Sequence, residues 1–70
     1  MYKYYVNKNR QDSKDGLHNE VHREGCRWMP KDFIDLGYHF SCKGAMKIAL
    51  VYYPETADGC IVCCNECHNG

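Results

Sequence analysis

Tyr2, Tyr4 and Val6 alternate with Lys3, Tyr5 and Asn7 along residues 2–7. That is the period of two of a half-buried strand, and Tyr and Val both suit one. Residues 8–16 are polar and charged and end in Asp15-Gly16, a strong turn signal, so they read as a long, mobile loop. A second strand is expected over residues 17–22, pairing back on the first as a hairpin. Residues 25–30 read as an irregular turn, because Pro30 has no N–H for a ladder and also restricts Met29. Within residues 33–40, Leu36, Tyr38 and Phe40 alternate, which predicts a third strand, and Gly37 marks a bulge in it.

Ser41 is a good N-cap residue. After it, Ala45, Ile48, Ala49 and Tyr52 fall at helical spacing, with Met46, Leu50 and Tyr53 on the adjoining stripe. Pro54 stops the segment at Tyr53. Gly44 weakens this helix by about 1 kcal/mol relative to alanine, so it needs tertiary packing. Residues 42–53 are the one helix expected, and residues 59–68, Gly-Cys-Ile-Val-Cys-Cys-Asn-Glu-Cys-His, form a cysteine knuckle. The fold class is therefore α+β. We expect a single domain over residues 1–70, with a small three-stranded antiparallel sheet or meander, one helix and a C-terminal cysteine knuckle, stabilised by metal.

Size makes the cysteines matter. A chain of 70 residues buries only about 60% of the surface its unfolded form exposes, so its core is marginal without a cross-link. Six Cys and four His are the candidates. The N-terminal Met-Tyr-Lys-Tyr-Tyr-Val turns polar without the apolar run of a signal peptide, and no stretch is apolar enough to span a membrane. The expected location is thus the reducing cytoplasm, where clustered cysteines bind metal or react more often than they pair. Zero net charge argues against a membrane surface and against a general nucleic-acid binder. Lys8, Arg10, Lys14, Arg23, Arg27 and Lys31 are interleaved with Asp and Glu, so nucleic acid is a possible partner and not a favoured one.

The donors cluster at two places. His22-x-x-x-Cys26 has Gly25 to permit a tight turn, and Cys60-x-x-Cys63 has the spacing of a zinc knuckle. Thirty-three residues separate the halves, so one tetrahedral ion would close a long loop around the third strand and the helix. The tail signal is degenerate: Cys64-x-x-Cys67 overlaps it and His68 follows. Cys63 and Cys64 are adjacent and cannot easily share one ion. Gly59, as a knuckle entry, favours Cys60 and Cys63, and Cys64, Cys67 and His68 are the substitutes. Zinc is the expected ion, although thiolate-rich sites also accept iron. Four protein ligands leave no open position, which makes it structural.

Other residues read more plainly. Cys42 is expected to be a buried free thiol whose place in the first helical turn favours thiolate. His18 and His39 have no expected role, and Trp28 covers the core or the site. Tyr2, Tyr4, Tyr52 and Tyr53 are expected to pack as core. Glu20, Glu24 and Asp35 are scattered, with no carboxylate pair suited to acid–base work.

The segment Val21-His22-Arg23-Glu24-Gly25-Cys26-Arg27-Trp28 resembles the first ligand pair of the metal-binding domain of Ada-type DNA-alkylation-repair regulators. That family has Cys-x-x-x-Cys, then a strand, an Ala-rich helix and Cys-x-x-Cys, an order matched over residues 18–67. The chain is also similar to small uncharacterised bacterial proteins with a His-x-x-x-Cys and terminal Cys pattern. The resemblance implies His22, Cys26, Cys60 and Cys63 as zinc ligands. It departs at His22, where the family has its alkyl-accepting cysteine. Imidazole is the poorer nucleophile, so methyl transfer is not expected. The helix-turn-helix that follows in those regulators is absent from this sequence.

Three functions follow. The first is a zinc-stabilised module that presents a surface to an unknown macromolecular partner. The second is a thiol-reactive protein, redox or alkyl-capturing. The third is a secreted disulfide mini-protein, for which six cysteines allow fifteen pairings. With no triad, phosphate loop or carboxylate pair, a turnover enzyme is not expected.

Overall fold

In the computed structural model, which describes residues 1–13 and 16–69, the tyrosine-rich N-terminus forms strand β1 (Tyr2–Asn7) at the centre of the sheet. On one side it pairs antiparallel with β3 (Gly16–Arg23), Val6 facing Val21 and Tyr5 facing His22. On the other it pairs antiparallel with β4 (Phe33–His39). This is the three-stranded antiparallel unit read from the sequence. Two short strands enlarge it. β2 (Gln11–Ser13) pairs with β3 inside the stretch expected to be loop, and β5 (Ala57–Gly59) joins β3 in parallel. Among the described residues the result is a mixed five-stranded sheet with one helix, α1 (Cys42–Tyr52), and a 3₁₀ turn at Asn65–Cys67 in the tail. The turn expected at Asp15-Gly16 falls partly outside the described residues.

β5 could not be read from alternation, being three residues long. Its hydrogen bonds identify it. The Asn19 N–H donates to the Thr56 carbonyl (2.8 Å), and the buried Asn19 side chain donates to the carbonyls of Asn7 (3.0 Å) and Lys8 (3.2 Å). A buried amide of this kind costs stability unless paired; here its NH2 ties β3 to the end of β1, and its oxygen accepts from the Thr56 hydroxyl on the chain that enters β5.

β4 corrects the expected core. Tyr4 faces Gly37 while Tyr5 faces Asp35, so Leu36 is the extra residue of a bulge, next to Gly37 with its positive φ of 82°. A bulge reverses the alternation beyond it. Ile34 and Leu36 therefore point inward, whereas Tyr38 turns to the face of Lys3, and Tyr38 and Phe40 are exposed. The Lys3 ammonium on that outer face sits 2.9 Å from Asp35.

Ser41 caps α1 as expected, its side-chain oxygen accepting the Lys43 N–H (3.3 Å). The buried stripe is Cys42, Ala45 and Ala49, with Met46 and Tyr53 packed beside it; Ile48, Leu50 and Tyr52 face solvent, as does Tyr2 of β1. Gly44 is needed in the helix because His39 lies over it. A Cβ there would stand 2.8 Å from His39 Nδ1, and His39 Nε2 is itself bonded to the Leu36 carbonyl (2.7 Å). The core is small: Tyr4, Val6, Val21 and Leu36 meet Ala45 and Ala49, and cysteines 42, 64 and 67 complete it.

Candidate metal centre

β3 carries His22 as its penultimate residue, fully buried. The chain then turns at once. The Cys26 N–H donates to the Arg23 carbonyl (3.1 Å), and Gly25 takes a positive φ of 83°, a conformation glycine adopts without penalty. This returns Cys26 beneath His22. From the other end, β5 runs alongside β3 until Gly59 faces Val21, and the Cys60 N–H donates to the Val21 carbonyl (2.9 Å). Parallel pairing of three residues thus delivers the tail knuckle to the end of β3. Gly59 has no room for a side chain, since a Cβ would meet the Cys64 carbonyl oxygen at 2.7 Å and Cys67 Cβ at 2.8 Å. The sequence marked it as a knuckle entry, and close packing is the reason.

The outcome is that one ligand atom from each of His22, Cys26, Cys60 and Cys63 lies within 4.8 Å of the other three. Backbone N–H groups point at the sulfurs: Arg23 N at Cys63 Sγ (3.2 Å) and Trp28 N at Cys26 Sγ (3.5 Å). The N–H groups of Cys63 and Val62 act on Cys60 in the same sense, lowering its pKa. Such donors stabilise thiolate charge. Burial opposes them and prevails. It pushes the Cys60 thiol up to about 12 and raises Cys26, while Cys63 is raised first by its hydrogen bond to Cys64 and then by burial. Burial lowers the pKa of His22. Without a cation the cluster is three thiols and a neutral imidazole, and a divalent ion is what would compensate their ionised form.

The imidazole is oriented at both nitrogens. Nδ1 lies 3.9 Å from Cys63 Sγ; Nε2, fully buried and without a hydrogen bond, faces Glu20 Oε1 at 3.6 Å. Metal-ligating histidines commonly turn their second nitrogen to a carboxylate, which fixes the tautomer. The donor set and this orphaned nitrogen both fit a metal at Nδ1. Glu20 is the site residue that sequence reasoning passed over as scattered. Its signal was its place two positions before His22 on a strand, which puts both side chains on one face.

The substitute ligands lie elsewhere. His68 Nδ1 is bonded to the Gly59 carbonyl (3.0 Å) and lies 3.4 Å from Asp58. Cys64 is buried with its sulfur 3.8 Å from that of Cys63, beside the cluster rather than within it. Cys67 forms a disulfide with Cys42. This corrects the expectation that Cys42 is a free thiol: helix and tail pack so that the first residue of α1 meets the 3₁₀ turn. Cys26, Cys60, Cys63 and Cys64 are free. Trp28 is exposed at the rim, where it borders a cleft with Glu20, Cys60, Ile61 and Val62.

Comparison with protein families, with characterised proteins and with solved structures finds no match to this chain. Fold and site define it as a small cysteine-rich α+β protein with a Cys/His cluster that could hold a metal ion. Among the described residues, no helix is long and apolar enough to cross a membrane.

Proposed function

We propose that the chain is a zinc-binding module in which His22, Cys26, Cys60 and Cys63 hold one structural ion. The observation that carries this reading is the convergence of four donors from two ends of the chain within 4.8 Å. Four protein donors fill a tetrahedral shell and leave no open position for water, so the ion would act as a cross-link and not as a catalyst. The chain is on this view a binding module rather than a turnover enzyme. Trp28, Ile61 and Val62, each more than half exposed beside the cluster, are the surface offered to a macromolecular partner. The resemblance to Ada-type metal-binding domains supports the ligand order, and His22 in place of the first cysteine argues against alkyl capture. The proposed compartment is the cytoplasm, where the three ligand thiols stay reduced for metal, with Cys42–Cys67 the one oxidised pair.

Thiol reactivity is the second reading, because Cys26 and Cys63 line an open cavity of about 380 Å³ with Arg23 and Arg27. Both thiols are raised above their usual pKa, which leaves them protonated and weak as nucleophiles in the absence of metal.

Native mass spectrometry of protein purified without reductant tests the proposal. One zinc per chain, with loss of the folded circular-dichroism spectrum on strong chelation, is the expected result, since structural zinc supplies roughly 10–16 kcal/mol of apparent folding free energy. A metal-free chain that folds unchanged in chelator refutes it.

A further inference from the structure

The chain holds two kinds of cysteine at once. Three free thiols sit in the cluster with His22, and one pair, Cys42–Cys67, is oxidised. Both cross-links end on the same short stretch of tail. The Cys64 N–H donates to the Cys60 carbonyl (2.8 Å) and the Cys67 N–H donates to the Cys64 carbonyl (2.9 Å), so two hydrogen bonds link the knuckle to the disulfide. Gly59 packs directly on Cys67 Cβ and the Cys64 carbonyl, locking the knuckle's entry to its exit. Whatever fixes Cys67 against α1 therefore also steadies Cys60 and Cys63, which the β5 pairing and the Cys60 N–H bond to Val21 bring to the end of β3.

We propose that Cys42–Cys67 is a reversible redox site, reduced by dithiols, whose oxidation tightens the metal site and whose reduction loosens it. This rests on the metal reading and adds its regulation. The physical cause is preorganisation. With the disulfide closed, the tail beyond Cys60 is anchored at both ends; with it open, only the β5 pairing and the Cys60 N–H bond to Val21 hold it, and the metal must do more of the ordering of residues 61–67. A ligand shifts an equilibrium only by its differential affinity for the two states, and the effect is reciprocal: bound metal must make the disulfide harder to reduce by the same factor.

The exchange is written in full as follows. A thiolate of the dithiol attacks Cys67 Sγ, on the less deeply buried residue of the pair. The S–S bond breaks, and Cys42 leaves as a thiolate at the first residue of α1 and takes up a proton there. The second thiol of the dithiol then attacks the mixed disulfide and releases Cys67. The dithiol is oxidised to its disulfide, two electrons pass to the chain, and its two protons end on Cys42 and Cys67. Glu66 Oε1, 3.4 Å from Cys42 Sγ, is placed to accept the new S–H.

The test titrates the full chain anaerobically with Co²⁺, whose thiolate absorption reports binding, in two forms distinguished by intact mass. One is oxidised at Cys42–Cys67. The other has been reduced with a dithiol that is then removed. The oxidised form is expected to bind about tenfold more tightly, or more. The Cys42→Ser/Cys67→Ser variant should match the reduced form whether or not it was exposed to dithiol. In dithiol redox buffers the midpoint of the disulfide should move about 30 mV more negative for each tenfold of coupling when Zn²⁺ is bound. Equal affinities in the two forms, or tighter binding by the reduced one, overturn the coupling and leave the metal reading intact. No uptake by either form overturns both.

Discussion

Metal binding at this cluster should release three protons, and that number follows from the state of the donors. Cys60 is held protonated, with a pKa of about 12, chiefly by burial. Cys26 is raised above the usual thiol value by burial, and Cys63 by its bond to Cys64 and then by burial. His22 is lowered by burial, so it is neutral at pH 7 and gives up nothing. Because thiolates are the metal ligands, a divalent ion displaces one proton from each of three sulfurs. Apparent affinity then changes about a thousandfold per pH unit, or roughly 4 kcal/mol at 1.36 kcal/mol per proton and unit. The sign is fixed: affinity rises with pH through the neutral range and collapses toward pH 6, steepening further where His22 begins to take a proton. Competition against a chelator of known protonation between pH 6 and 8 gives the slope. Calorimetry in two buffers of different ionisation enthalpy gives the proton count independently. Cys60→Ser should lower the slope by one. A wild-type slope near one or zero would refute the reasoning, because the sulfurs would then be already ionised or not ligands.

Three further outcomes are expected. Glu20→Ala should weaken metal binding by about 10–100-fold, with Glu20→Gln, still an acceptor for His22 Nε2, falling less; equal affinity in Glu20→Ala and wild type would remove Glu20 from the site. Gly59→Ala forces a Cβ to within 2.7–2.8 Å of Cys64 and Cys67, costs about 1–3 kcal/mol in urea unfolding and should weaken metal uptake with it; an unchanged midpoint would mean that the tail packs more loosely than described. Opening Cys42–Cys67, which closes a loop over a sequence separation of 25, should cost about 3.5 kcal/mol of stability in the metal-loaded protein, visible as a lower urea midpoint in the Cys42→Ser/Cys67→Ser variant.

Local signals carried much of the architecture. The period of two in residues 2–7, the Ser41 cap and the stop at Pro54 each rest on contacts close in sequence, and each element formed within a residue or two of where it was expected. The pairing of His22-x-x-x-Cys26 with Cys60-x-x-Cys63 was legible because spacing within each half is itself a geometric statement. What the sequence left hidden depends on distant partners. The bulge at Leu36 was suspected at Gly37, yet its consequence, the turning out of Tyr38, needed the register against β1. The buried face of α1 is set by the small side chains of Ala45 and Ala49 lying against the sheet; helical spacing picked out both, but it also counted Ile48 and Tyr52, which are exposed. Cys42–Cys67 was invisible for the same reason. Nothing in the spacing of two cysteines so far apart says that α1 starts where the tail ends.

The convergence of both cross-links on residues 60–67 follows from how little apolar surface this chain buries. Its fully enclosed side chains are few and mostly small, whereas Phe40, Val51, Tyr38, Trp28, Val62 and Ile61 remain more than half exposed. A core of this kind cannot by itself hold a largely irregular tail, with one 3₁₀ turn, against a sheet. The metal cluster would fasten that tail to β3, and the disulfide fastens it to α1. The two also constrain one another chemically. Six free thiols could pair in fifteen ways. An ion that claims Cys26, Cys60 and Cys63 leaves only Cys42, Cys64 and Cys67, and Cys64 lies with its sulfur 3.8 Å from that of Cys63, on the cluster side, whereas α1 brings Cys42 to Cys67. Metal loaded first would thereby cut the possible pairings of the remaining thiols to three and favour the one the structure contains. Oxidation first could draw from the thiols the metal would need, since all fifteen pairings are then open.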